Sequence, residues 1–176
     1  MKQFKNIVGY VAGFMLFICL IPSIMWVVSG RDNLFVPRTW ILVLALFLVV
    51  GGLCVALWTI IYMKKVGKGN PADAFNHEIA PRTQHLMTDG PYRFCRNPML
   101  FGTLVFYVGI GVWLESWRAF IVPIVFIAIL LVQVHFEEKR LEQDFGNEYL
   151  VYKKATSRLL PLKYFLNGVC AKSKNK

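Results

Sequence analysis

Charge is missing where it would carry most meaning. No Asp, Glu, Lys or Arg interrupts the apolar stretches Ile7 to Val28, Ile41 to Met63, Met99 to Leu114 and Ala119 to Val134. Proton relays and voltage sensors need ionisable groups inside the bilayer, so this absence argues against pumps and gated channels. No internal repeat is visible, whereas many secondary transporters carry one. The 3 histidines (His77, His85, His135) and 4 cysteines (Cys19, Cys54, Cys95, Cys170) lack the pair spacing of a zinc or redox site. Cys95 stands beside Arg96, which would suit a lowered thiol pKa and a nucleophilic role, but no general base is recognisable next to it. The first apolar run is too long for a leader h-region and no small-x-small site follows at Ser29 or Gly30, so it reads as an uncleaved span.

What is present is grease and positive charge. Of 176 residues, 56% are apolar, too many for a soluble domain of this length and enough for several membrane crossings. The first two runs each exceed 20 residues, which at about 1.5 Å per residue crosses a hydrocarbon core of about 30 Å. The last two, near the short limit for a span, predict a tight hairpin over 99–134, with Trp113 and Trp117 flanking its turn at headgroup depth. The expected fold is an all-α polytopic membrane bundle of about four transmembrane helices, followed by a C-terminal cytoplasmic helix. Of 20 Lys and Arg, all but Arg31, Arg38 and Arg118 fall at the N-terminus, in the 64–98 loop or after Val134. The positive-inside rule then places both termini and the central loop in the cytoplasm, with the cytoplasmic (inner) membrane as the expected location. The net charge of +10 is therefore chiefly a topology signal, and no recognition module for nucleic acid accompanies it.

Polar chemistry concentrates in two places. The loop from Lys64 to Asn97 is long for a connector and carries short apolar anchors before the Asp89-Gly90 turn. It ends in Gly90-Pro91-Tyr92-Arg93-Phe94-Cys95-Arg96-Asn97-Pro98, where Asn97 reads as a helix N-cap with proline at the first helical position. Beyond the fourth apolar run come Gln133, His135, Glu137 and Glu138. Leu141, Phe145, Tyr149 and Tyr152 then recur at helical spacing, with Gly146 as a bend point. Two carboxylates where a span leaves the bilayer, on the side of the basic loop, can close over one pocket. Gly51-Gly52 in the second span permits close helix approach, and Pro22 predicts a kink in the first.

Taken together, Leu86-Met87-Thr88-Asp89-Gly90-Pro91-Tyr92-Arg93, Arg96-Asn97-Pro98 with Gly102, Glu137-Glu138, Phe145-Gly146-Asn147-Glu148-Tyr149, Tyr152 and Pro161 resemble the integral-membrane isoprenylcysteine carboxyl methyltransferase and phospholipid methyltransferase superfamily. The resemblance covers roughly residues 64 to 161. It divides a single membrane domain, 1–176, into a first span outside the family core (1–35), a methyltransferase-like core (36–161) and a basic tail (162–176).

The resemblance implies S-adenosylmethionine as methyl donor and a membrane lipid or lipophilic small molecule as acceptor. The implied donor contacts are Gln84, His85, Leu86, Met87, Tyr92, Asn97, Pro98, Met99, Leu100 and Glu137. Glu137 and Arg96 are the implied catalytic pair, and Gln133 and Arg93 the implied substrate-side residues. Relatives often carry His at the position of Asn97, an aromatic residue at Leu100, and, in the prenylcysteine enzymes, Arg at Gln133. The chemistry agrees: Glu137 suits the donor's ammonium, Asn97, His85 or an arginine its carboxylate, and Leu86, Met87 and Tyr92 its adenine. Methyl transfer gains from orientation and exclusion of water more than from a strong base. The soluble type of methyltransferase is excluded, since neither strand alternation nor a Gly-rich strand-to-helix turn is present. Two other classes remain: an NADPH-dependent sterol-type membrane reductase, whose cofactor phosphates would suit Arg93 and Arg96, and a non-catalytic membrane assembly protein.

Overall fold

The computed structural model describes residues 11–31, 36–67 and 85–165, and among these the chain is all-α. Helix α1 is Val11–Ser29, α2 is Thr39–Tyr62, α3 is Pro98–Leu114 and α4 is Ile121–Ala155. Three of the four are long and apolar enough to cross a membrane, while α3 is the shorter apolar helix, so the expected membrane bundle is what forms. Helix α3 leads through a turn at Glu115 and a 3₁₀ turn at Trp117–Phe120 into α4, but the two helices do not close on each other as a tightly packed hairpin. Beyond the apolar run ending at Val134, α4 continues as the charged, amphipathic helix anticipated from the sequence. It bends at Gly146, where φ 52° and ψ −125° suit a residue without a Cβ.

The tightest seam joins α2 to α3, and small residues explain it. A Cβ on Gly102 would lie 2.7 Å from the Gly52 carbonyl oxygen and 2.8 Å from the Ala56 nitrogen, and one on Gly52 would strike the α3 backbone at Phe106. Gly109 repeats the arrangement against Val49. Without side chains in the way, the two backbones meet and gain dispersion contacts that lipid cannot offer. Of the Gly51-Gly52 pair, only Gly52 serves this seam, for Gly51 faces open space.

Helix α1 packs on the other side of α3 through Ile21, Met25, Tyr107, Ile110 and Leu114. Just before Pro22, where the sequence predicts a kink, the helix widens into a π-helical stretch over Met15–Leu20. At the opposite end of α3 from the Gly90–Pro98 loop, the chain turns through Glu115 at φ 46°. Arg31 donates there to the carbonyls of Leu114 (2.9 Å) and Glu115 (2.8 Å), closing the helix terminus with a cation. Although α3 and α4 are consecutive, they touch only sparsely. The space between them near the start of α3 remains open as a cavity.

Candidate functional site

The cavity has a volume of about 320 Å³. It is lined by the start of α3, one face of α4, the end of α2, the 86–97 loop and two residues of α1. The α4 contribution follows from helical period alone: Leu130, Gln133, Val134, Glu137, Glu138, Leu141 and Phe145 fall on one stripe. Past the Gly146 bend, Tyr149 and Tyr152 turn over the same space. The four apolar positions singled out beyond the fourth run thus all face one cavity.

The loop wall is shaped by aromatic packing. Pro91 is buried in a 3₁₀ turn over Gly90–Arg93, the Tyr62 and Tyr92 rings lie 6.3 Å apart, and Phe94 packs edgewise on Trp58 at 6.2 Å. Gly90 sits at φ 60°, and a Cβ there would collide with the Tyr62 ring. The Tyr152 hydroxyl donates to the Tyr92 carbonyl at 2.7 Å, tying the end of α4 to the loop.

A buried ion cluster is set into this wall. Glu138 is 3% exposed and accepts from Arg96 Nε at 2.8 Å, from Arg158 Nη2 at 2.6 Å and from Arg158 Nε at 3.0 Å. Arg96 Nη1 also donates to the carbonyls of Lys153 (2.8 Å) and Thr156, covering the last turn of α4. Backbone bonds from Arg96 N to Ser157 O (2.9 Å) and Asn97 N to Arg158 O (3.2 Å) run alongside. Burial works against ionising Glu138, but the hydrogen bonds from Arg158 and Arg96 outweigh it and hold the carboxyl below its ordinary range.

Of the residues expected at a donor site, Leu86, Met87, Tyr92, Asn97, Pro98, Met99, Leu100 and Glu137 all line the cavity, as do Arg96 and Gln133. His85 and Arg93 do not; both are exposed, and Arg93 stacks its guanidinium over the Tyr164 ring at 5.8 Å. Gln84 lies outside the described residues. The expected N-cap is corrected in its chemistry: Asn97 precedes Pro98 as anticipated, but its side chain does not cap α3. Its Nδ2 donates instead to Arg158 O at 3.0 Å. A distant carbonyl has displaced the local partner.

Cys95 also departs from expectation. It is buried, and desolvation pushes its thiol up to about 11 despite the neighbouring Arg96, so the nucleophilic role has no physical support. In the folded protein Cys95 is expected to react with a maleimide at pH 7 at least about tenfold more slowly than after denaturation. Equal rates, followed by peptide mass spectrometry, would contradict this environment.

Sequence reading missed Arg158, Phe17, Thr59 and Thr103. Thr59 and Thr103 leave a faint signal, being polar residues in apolar runs; each returns its hydroxyl to the carbonyl four residues back, at 2.8 and 2.9 Å. Arg158 leaves none beyond its place before Pro161.

Known proteins point in the same direction as this geometry. Protein-S-isoprenylcysteine O-methyltransferases of Rattus norvegicus, Mus musculus and Homo sapiens are each 29% identical to the chain over 158 residues, covering 82% of it and 50% of the relative. The chain thus spans about half the length of the curated relatives it matches. The phospholipid methyltransferase family model matches residues 40–148, well over half of the sequence, and the chain belongs to that family.

Proposed function

We propose that this chain is an S-adenosylmethionine-dependent integral-membrane methyltransferase that binds its donor in the cavity between α3, α4 and the Gly90–Pro98 loop. The observation that carries the proposal is convergence: Leu86, Tyr92 and Asn97, from the 86–97 loop, and Glu137, from α4 and at least 40 positions away in sequence, line one cavity. The residues fit the donor in kind. Leu86, Met87 and Tyr92 offer an apolar and aromatic surface for an adenine, Glu137 a carboxylate for an ammonium, and the volume lies near the lower end of ordinary ligand sites, roughly 300–1,000 Å³.

When bound, the donor supplies a methyl group activated on a sulfonium. The chain's own work is to hold and to exclude. Glu137 anchors the ammonium by a charge-assisted bond. Tyr149 and Tyr152 cover the cavity and limit water, and orientation then contributes most of the rate. Arg96 acts as a positioning residue: its guanidinium is engaged by Glu138 and two carbonyls, and through them it sets the loop that bears Asn97. The acceptor is a membrane lipid or lipophilic small molecule that enters from the bilayer. The cavity end of the bundle faces the cytoplasm, in keeping with the Lys and Arg bias of its loops.

Isothermal titration of the purified protein with S-adenosylhomocysteine and with NADPH tests the reading, together with transfer of labelled methyl into native membrane extract. Binding of S-adenosylhomocysteine but not NADPH, with label in a lipid fraction, is the expected result. NADPH binding alone would support the reductase class, and binding of neither a non-catalytic protein.

A further inference from the structure

Helix α1 precedes the residues that the family model matches, yet Leu16 and Phe17 line the cavity. Phe17 is held there for a reason legible in the backbone. The Ile21 N–H bonds to Leu16 O, five residues back, and the next donor in that register would reach Phe17 O. The next residue is Pro22, which has no N–H. The Tyr107 hydroxyl takes its place, donating to Phe17 O at 3.1 Å. The Phe17 ring meets Phe126 edge-on at 5.3 Å, and Phe126 in turn meets Tyr107 at 6.1 Å. Backbone and ring are both fixed.

The cavity changes character along α4. Leu130 lies seven residues before Glu137, about 10 Å along the helix axis. Around Glu137 the walls include Asn97, Tyr92 and Gln133, whereas Leu130 and Phe17, the latter packed on Phe126 eleven residues before Glu137, make an apolar wall, and the Thr103 hydroxyl is already given to Met99 O. One end suits a charged donor and the other suits hydrocarbon.

We infer that Phe17, fixed at the apolar end, sets how much of the acceptor's hydrocarbon chain the cavity admits. This rests on the methyltransferase reading with its lipophilic acceptor and adds the residue that limits the length of that acceptor's chain. Phe17 is the specificity-determining residue for that chain, and it belongs to the helix outside the family-matched region.

The test needs no knowledge of the acceptor headgroup. The full chain in phosphatidylcholine nanodiscs is photolabelled with an alkyl diazirine alcohol, and n-alkanols of increasing length compete for the label. Label is expected on peptides containing Leu130 and Phe17, with each methylene that fits strengthening competition about fourfold up to a cut-off length. Phe17→Ala moves the cut-off to longer alkanols and Phe17→Trp to shorter ones, while S-adenosylhomocysteine affinity, measured in parallel, stays unchanged and reports that both variants are folded. An unshifted cut-off in both variants overturns the inference. So does labelling spread evenly over outward residues such as Val43 and Phe47. If the unsubstituted protein binds no S-adenosylhomocysteine, the methyltransferase reading fails separately, and circular dichroism then serves as the folding check for the cut-off comparison.

Discussion

Replacing Glu138 with Ala is expected to cost about 3–5 kcal/mol, because it strands Arg96, a buried cation, without its carboxylate. The intact cluster has a smaller net value, since desolvating three charges offsets much of their attraction; it is the removal of one partner that is costly. Arg96 shows why. Its side chain is 9% exposed, so water cannot take over from Glu138. Arg158 is 41% exposed, and Arg158→Ala should cost clearly less, because the remaining Arg96–Glu138 pair stays compensated. Thermal unfolding in detergent, compared across the two variants, checks the order. Equal losses would mean that the cluster is not organised around Glu138.

The same carboxyl gives a pH dependence of fixed sign. A carboxylate held below its unfolded value contributes stability that is present above the unfolded pKa, about 4.3 for Glu, and lost as pH falls through the folded pKa. The wild-type protein should therefore lose stability as pH drops below about 4, and Glu138→Gln should show a shallower acid dependence from a lower starting point.

The second large effect is on binding. Glu137→Gln is expected to weaken S-adenosylhomocysteine binding roughly a hundredfold, about 3 kcal/mol, by removing the charge opposite the ligand ammonium while keeping the side chain's size. Its Tm should stay near that of the wild type, because Glu137 is on the exposed side of the helix turn that buries Glu138. The Tyr92 phenol, raised first by burial and next by the charge of Glu137, stays neutral at physiological pH and leaves Glu137 as the carboxylate facing that part of the cavity. An unchanged affinity in calorimetry would remove Glu137 from the donor site. The two variants also separate roles: Glu138→Ala moves stability most, Glu137→Gln moves affinity most.

Why these adjacent carboxylates differ was not legible from their spacing. Consecutive helical residues point about 100° apart, so one faces the cavity opening and the other the arginines. Which is which depends on Arg158, a residue 20 positions later with no local signature. Asn97 makes the same point in reverse. Its position before Pro98 is a sound capping pattern, yet the carbonyl of Arg158, 61 residues away, competes successfully for its amide. Cys95 looked activated by its neighbour Arg96, but that guanidinium is aimed at Glu138 and burial decides the thiol.

The sequence by itself determined what local periodicity and solvent partition can determine. Uncharged apolar runs dictated the helices of the bundle, Gly52 and Gly146 marked a close contact and a bend, and the Leu141-Phe145-Tyr149-Tyr152 stripe marked one face. These follow from 3.6 residues per turn and the exclusion of polar groups from hydrocarbon, both of which act within a segment. Only the tertiary structure decided that Phe17 of α1 reaches the cavity, that Arg93 does not, and that Arg96 is bound to Glu138 within the cavity wall. Each of these is a choice among several chemically equivalent partners. It is settled by which surfaces the packed helices bring within hydrogen-bonding distance, and that is a property of the assembled chain rather than of any stretch within it.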